Sequence, residues 1–405
     1  MRPHDRVYKR RWTLAVIVTL TVFAAVAVTY ALLVPPLQNA DEMYHLHYAQ
    51  LIANHAQLPG AHFTEKQQPP LYYLLGALII KAGGSLTALR LMSVALGVTT
   101  IALVMAVARE LVPGRPAIAV GAGVITASFP ITVAVSASFS DDVLAWTAGA
   151  GLLWCIARVL RSESPSRKLL LVCGIAAGIG LLSKETDWLL VAVLAVAIGM
   201  RLASRIRPAD VAIAVVPAAA IGGWWFVRNV ITFHTLVPPL QPLTTTHPYL
   251  RSLGEAKAFA SGAVRSLFGP ERADGGPLIR SFPIRILIAV VFAIVVIVLA
   301  VAAWQAIRQW SGWDRTSRQL AVISLAISAF LVGEWILNSV LFDLQPQSRY
   351  LFVAVALPAT AMVWAGSIIA RWLAPRARFV VGTALIIATA VIGIDSLRVA
   401  ILRTP

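Results

Sequence analysis

Charge is scarce in this chain. Only 13% of its 405 residues are Asp, Glu, Lys or Arg, while 59% are hydrophobic and the mean hydropathy is +0.79. Soluble domains are usually about 45 to 50% apolar, so the scarcity excludes a water-soluble globular protein and puts the chain in a bilayer. Cysteine is nearly missing: Cys155 and Cys173 are the only two. They fall in the inner halves of adjacent apolar runs, which excludes a disulfide-built ectodomain and leaves them as small core residues. No internal repeat is visible, against the two-fold repeats of many secondary transporters, and no tight ligand spacing such as HExxH occurs. Acidic residues are outnumbered 18 to 34, for a net charge of +16. In a soluble protein that excess would suggest nucleic acid. In a membrane protein its distribution matters more, and no nucleic-acid partner is expected.

What is present is a series of apolar runs of about 20 residues, each long enough to span a bilayer as a helix. They lie near 12–34, 88–108, 117–137, 142–160, 168–183, 186–203, 209–230, 284–307, 319–341, 349–370 and 378–395. The spacing predicts an all-α polytopic membrane protein with about eleven transmembrane helices, residues 1–405 forming one integral membrane domain. Residues 1–11 carry Arg2, Arg6, Lys9, Arg10 and Arg11, so the first run reads as an uncleaved anchor with its N-terminus in the cytoplasm. The short segments this topology puts inside hold most of the Lys and Arg, and the acidic residues gather on the other side. Two extracytoplasmic loops are long, 35–87 and 231–283. A long loop in a compact protein is usually functional or disordered, and neither is of low complexity.

The first long loop concentrates the polar chemistry: Asp41 and Glu42, then His45, His47, His55 and His62, then Glu65-Lys66 and the diproline Pro69-Pro70. Residues 41–55 fit an amphipathic helix capped by Asn39 or Asp41, and Pro69-Pro70 restarts a helix, LYYLLGALIIKAGG, too short to span. In the second loop Glu255 to Phe268 fits another interfacial helix.

Asp41 and His45 share a helix face, and a partly desolvated carboxylate at the membrane edge can take a proton from an acceptor hydroxyl or amide. The plainer alternative makes Asp41 a helix cap and Glu42 a solvated side chain. His45, His62 and Glu65 with a Glu42 or Asp41 oxygen could close around a divalent ion, or the histidines could bond lipid and loop backbone. Lys66, Lys184, Arg228 and Arg349 form a cationic set on the same outer face. Arginine forks and lysine point charges suit phosphate oxygens, while the alternative pairs Lys184 with Glu185 or Asp187 and Arg349 with Asp343. Asp141-Asp142 are either N-cap carboxylates or a second acidic site. Glu334 stands between an interhelical hydrogen bond to its surroundings and a cavity lining.

The motifs DEMYH at 41–45, EKQQPPLYY at 65–73, SFSDD at 138–142, LLSKET at 181–186, WWFVRN at 224–229 and QSRYLF at 347–352 resemble, in order and spacing over most of the chain, the GT-C superfamily of membrane glycosyltransferases. The resemblance is to its protein O-mannosyltransferase and aminoarabinose transferase branch and uncharacterised bacterial relatives. It implies an inverting transferase that moves a sugar from a polyprenyl-monophosphate donor to a cell-envelope acceptor, working among membrane lipids at the outer face of a bacterial-type inner membrane. It implies Asp41 as general base, with Glu42 positioning it or holding a metal. Lys66, Lys184, Arg228, Arg349 and Tyr350 would contact the donor phosphate. Asp141, Asp142, His45, Gln68 and Tyr72 would form the acceptor side or second acidic site. Gln67-Gln68 stand between Glu65-Lys66 and the diproline, where the aminoarabinose branch often has the lysine directly before it, so a glutamine can face the donor instead. Two further readings are a flippase or transporter of lipid-linked glycan, and a ligase using diphosphate-linked glycan. A structural partner of an envelope complex would need no clustered acid-base residues.

Overall fold

The computed structural model describes residues 3–39, 41–202, 207–238, 250–269, 281–341 and 344–402, and all regular structure among them is helical. Helix α1, Pro3–Leu33, is the first span. Two helices of the first long loop follow, α2 at Glu42–His55 and α3 at Leu71–Lys81, packed on each other. Then come α4 at Leu86–Leu111, the pair α5 at Pro116–Ser128 and α6 at Pro130–Ser136, and α7 at Asp142–Arg161. Next are α8 at Arg167–Leu181, α9 at Trp188–Leu202, α10 at Pro208–Ala218 and α11 at Trp224–Phe233. Helix α12, Leu253–Leu267, belongs to the second long loop. The chain closes with α13 at Phe282–Gln309, α14 at Arg315–Leu341, a 3-10 turn at Ser348–Ala354, α15 at Ala356–Trp372 and α16 at Pro375–Ile401. Residues 239–249 and 270–280 of the second loop, and Asp343, lie outside the described residues.

Among the described residues seven helices are long and apolar enough to cross a membrane, and nine if each of two bent pairs counts as one span. The expected spans at 168–183 and 186–203 are helices, α8 and α9, of 15 residues each. At 1.5 Å per residue α8 is about 22 Å long, short of a hydrocarbon core of about 30 Å, while α9 runs to Leu202, the limit of the described residues there. Proline accounts for the irregularities. Pro130 breaks α5 from α6 at 72°, and Pro217 inside α10 precedes a π-helical stretch, Ala219–Gly223, that joins it to α11; a residue with no N–H leaves the ladder to rearrange.

Burial locates the centre. In the apolar window of α7 78% of residues are buried, against 6% in α16 and 17% in α13 and α14. Helix α7 is therefore the axis around which α4, α8, α9 and the Ser348–Ala354 turn assemble, while α13, α14 and α16 present apolar side chains outward, as lipid requires. Gly149 on α7 permits a close approach: a Cβ there would collide with the Val353 carbonyl, so the turn after Ser348 lies directly on the central helix. Cys155 and Cys173 are buried free thiols, one each on α7 and α8.

Candidate active site

The site begins with an unusual backbone. Asp41 adopts φ 60°, a left-handed conformation that Asp and Asn tolerate better than other non-glycine residues. Its carbonyl accepts from His45 N at 3.1 Å and so starts α2, but its side chain makes no capping bond. The carboxylate instead accepts from Arg349 Nη2 at 2.5 Å, a contact between residues 308 positions apart. The guanidinium that meets it is 6% exposed, the carboxylate 34%. Arg349 is the second residue of the 3-10 turn, and its backbone carbonyl accepts from Trp146 Nε1 of α7 at 3.1 Å.

From Arg349 a chain of alternating charge continues into the protein. Its Nε lies 3.5 Å from Asp142 Oδ2. Lys184, in the turn between α8 and α9, donates to Asp142 Oδ1 at 2.5 Å and to Asp141 Oδ1 at 3.2 Å. Asp141 Oδ1 is 3.6 Å from His45 Nε2, and His45 Nδ1 meets the Tyr73 hydroxyl at 2.9 Å. The Tyr350 ring lies beside both cations, 5.7 Å from Lys184 Nζ and 5.3 Å from Arg349 Cζ. Asp141 and Asp142 do not cap α7 through their side chains; they bind Lys184. Four stretches that no local pairing connects, the first loop, Asp141-Asp142, Lys184 and Arg349-Tyr350, thus converge on one patch, with Asp41 as its most open acid.

Electrostatics follow from that order. Burial alone would raise the Asp41 carboxyl, but the Arg349 guanidinium and His45 more than offset it and hold the group below its ordinary value. Burial opposes charge on Lys184 as well, yet Asp141 and Asp142 push its ammonium above the ordinary lysine range. Glu65 is half-buried and close enough to His45, Asp41 and Asp141 to feel their charge; burial pushes its carboxyl up. For Asp41 the sign is that of a depressed acid. The stability its pair contributes is present above the unfolded carboxylate value of about 3.9 and is lost as pH falls through the lower folded value. The thermal midpoint of the parent should therefore exceed that of Asp41→Asn at neutral pH, and the difference should close below about pH 4. A difference independent of pH would show that the pair is not charged in solution.

Several expected site residues are placed elsewhere. Glu42 is fully buried and saturated: Arg90 Nε and Nη2 donate to its two oxygens at 2.8 and 2.7 Å, and Phe139 N and Leu37 N add one bond each at 3.0 Å. Arg90 also donates to the carbonyls of Ala31, Val34 and Pro35. Glu42 is a clamp joining the end of α1, α4 and the α6–α7 connection, and no lone pair is left for acid-base work or a metal. Lys66 is 6% exposed and donates to Ala61 O of its own loop at 2.7 Å. Arg228 donates to the Pro59 carbonyl and lies over Trp225 and Phe233 at 5.0 and 4.8 Å, fastening the first loop to α11. Gln68 contributes a backbone carbonyl, which accepts from the Tyr48 hydroxyl, while Gln67 turns inward and donates to Glu65. Glu334 pairs with Asn338 one turn along its own helix.

Tyr73, and not the expected Tyr72, reaches the cluster. Tyr72 meets Ser93 Oγ at 2.7 Å and packs on Phe139 at 4.8 Å, wholly in the core, while Tyr73 reaches His45. Adjacent residues of a helix point about 100° apart, so only one can face the cluster. Tyr72→Phe should cost about 1 kcal/mol of stability and leave turnover unchanged, whereas Tyr73→Phe should lower turnover; equal effects on turnover would reject the assignment.

The proposed metal set does not assemble. Glu42 is saturated, His62 is exposed, and among the described residues no three His, Cys, Asp or Glu side chains stand where they could share an ion. Asp41, Asp141 and Asp142 already hold Lys184 or Arg349, and Glu65 accepts from Gln67. Arg90, Tyr73 and Trp146 were absent from the sequence expectations. Arg90 carried one signal, an arginine just inside an apolar span, which demands a buried partner.

The comparisons agree with this architecture. Residues 67–224 match the family model described as dolichyl-phosphate-mannose-protein mannosyltransferase, a segment that includes Arg90, Asp141, Asp142 and Lys184. The Archaeoglobus fulgidus oligosaccharyltransferase in its apo form has a similar fold, with a TM-score of 0.50 at 14% identity over 95% of this chain and 55% of that one. Its complex with Zn and sulfate gives 0.54 at 14% identity over 94% and 53%. The chain thus spans little more than half the length of these proteins. No curated protein sequence matches it. A central segment of the chain thus fits a mannosyltransferase family model, its fold is similar to that of an oligosaccharyltransferase, and its long apolar helices make it a multi-pass membrane protein.

Proposed function

We propose that the protein transfers a sugar from a polyprenyl-monophosphate carrier to a lipid, glycan or protein acceptor of the cell envelope, with inversion at the anomeric carbon. The reaction is set at the extracytoplasmic face, with the N-terminus in the cytoplasm of a bacterial-type inner membrane. The observation that carries this reading is the contact of Asp41 with Arg349, set beside Lys184 and the Asp141-Asp142 pair.

Attack by an acceptor hydroxyl or amide on the anomeric carbon forms one bond there. It breaks the bond to the carrier phosphate, which leaves with the electron pair. Negative charge grows on the phosphate, so Arg349 and Lys184 are suited to bind it; the acceptor proton goes to Asp41. As long as Arg349 is paired with Asp41, that carboxylate is a weak base. A phosphate drawing the guanidinium to itself would return basicity to Asp41 only when donor is bound. Tyr73 and Asp141 hold His45 in one orientation next to this base.

A carrier also needs a place for its tail. Between α9 and α14 lies a groove of ≈ 890 Å³ with walls of Leu189, Val193, Val196, Val322, Ile323 and Phe330. Its lining begins at Leu189, five positions after Lys184 in the sequence, and is apolar apart from Arg315, Arg318 and Gln319. Its apolar walls suit a prenyl chain.

The test supplies purified protein with a labelled polyprenyl-monophosphate sugar and follows both products. Release of polyprenyl monophosphate with an inverted glycoside supports the reading. Release of diphosphate from a diphosphate-linked glycan would replace it with a ligase, and movement of intact donor across the bilayer without cleavage would replace it with a flippase.

A further inference from the structure

Arg349 sits on a 3-10 turn, whose hydrogen bonds are poorer than those of an α-helix and which holds its shape only with outside support. Part of that support comes from the second long loop. Helix α12 starts from Ser252, whose hydroxyl accepts from Glu255 N at 3.1 Å while the Glu255 carboxylate accepts from Arg251 N at 2.8 Å, close to a capping box. Phe259, Gly262 and Ser266 fall on one face of this helix and are buried. That face covers residues 345–348, immediately before Arg349. At Gly262 a Cβ would stand 2.5 Å from the Cβ of Pro346, so only glycine allows the helix to lie this close. Ser266 Oγ accepts from Ser348 N at 2.9 Å and meets Ser348 Oγ at 3.0 Å, with Ser266 and Ser348 6% and 7% exposed. Phe259 packs on Trp335 at 4.6 Å, and Trp335 Nε1 donates to the Gln345 carbonyl at 2.7 Å.

We propose that α12 is the seat that holds Arg349 in register with Asp41, and that Ser266 is its positioning residue, gripping the amide one residue before the guanidinium. The inference rests on Arg349 as a donor-phosphate ligand and gives the second long loop its task. Ser348 N has its partner in Ser266 and is buried, so losing that hydroxyl leaves an amide unsatisfied and frees the turn to shift. A displacement of about 1 Å at a charged fork is enough to weaken its alignment with a phosphate severely.

The experiment measures binding of a polyprenyl monophosphate to the full chain in lipid nanodiscs. The variants are Ser266→Ala, Gly262→Ala, Arg349→Ala and the Ser266→Ala/Arg349→Ala double, with exposed Lys257→Ala as control. Ser266→Ala and Gly262→Ala are expected to weaken binding about tenfold and Arg349→Ala about a hundredfold, with Lys257→Ala equal to the parent. In the Arg349→Ala background, Ser266→Ala should add less than about twofold, because a positioning residue has nothing left to position. Parent-like binding by both Ser266→Ala and Gly262→Ala, with Arg349→Ala impaired, overturns the proposal. A full tenfold loss on top of Arg349→Ala overturns it too, since the effect would then bypass the guanidinium. Parent-like binding by Arg349→Ala instead removes the phosphate reading itself, and this proposal with it.

Discussion

Asp41→Asn should lower the rate of transfer at saturating donor by about a thousandfold, within the range general-base catalysis supplies and equal to about 4 kcal/mol of barrier. Asparagine keeps the shape of aspartate, and its amide oxygen can still accept from Arg349, so the fold and the grip on donor should remain close to those of the parent. What is lost is the ability to take a proton. The expected pattern is a fall in kcat with little change in donor KM, the mark of an interaction made in the transition state alone. Asp41 is suited to this role because it is the most open acid of the cluster, 34% exposed, while Asp141 and Asp142 are buried beneath Lys184. Normal turnover by purified Asp41→Asn would remove the residue from catalysis and leave it as a partner of Arg349. A rise in donor KM with kcat intact would lead to the same conclusion by another route.

How far the sequence disclosed this arrangement depended on whether the signal was local. Apolar run length located the helices, and the expected segment at Glu255 to Phe268 matches α12 because a serine cap, an early glutamate and a helical apolar face lie within fifteen residues. Asp41, Asp141, Asp142, Lys184 and Arg349 stood out because charge is rare in so apolar a chain and has to be explained wherever it occurs. Pairing was not legible. Lys184 has acidic neighbours at Glu185 and Asp187, and nothing in the order of residues says that it will bridge to Asp141 and Asp142, more than forty positions earlier. Side-chain direction was hidden too: Tyr72 and Tyr73, or Gln67 and Gln68, differ only in helix phase or loop conformation, which tertiary packing sets. Helix ends were less legible than apolar runs: α8 stops at Leu181, two residues before the end of its run, since hydropathy measures apolarity and not where a helix stops.

Glu42 taught the opposite lesson from Asp41, and its partner makes the largest stability prediction. Arg90→Ala should destabilise the protein by about 3 to 5 kcal/mol, the usual result of removing one member of a buried ion pair. It strands the Glu42 carboxylate, fully enclosed, and leaves the carbonyls of Ala31, Val34 and Pro35 without their donor. Because those carbonyls end α1 and Glu42 opens α2, the change should also loosen Asp41, which lies between them, and turnover should fall with stability. Replacing both partners by apolar residues of similar size, Glu42→Leu with Arg90→Met, should recover part of the stability, since much of the loss is the cost of an uncompensated charge and not the value of the pair. The double variant should still transfer poorly, because the backbone amides of Leu37 and Phe139 would have lost the acceptor that fixes the loop. Denaturation in detergent, read with turnover on the same samples, separates the two effects. Arg90→Ala as stable as the parent would mean that the clamp does not hold α1, α2 and α4 together, and the placement of Asp41 would need another source.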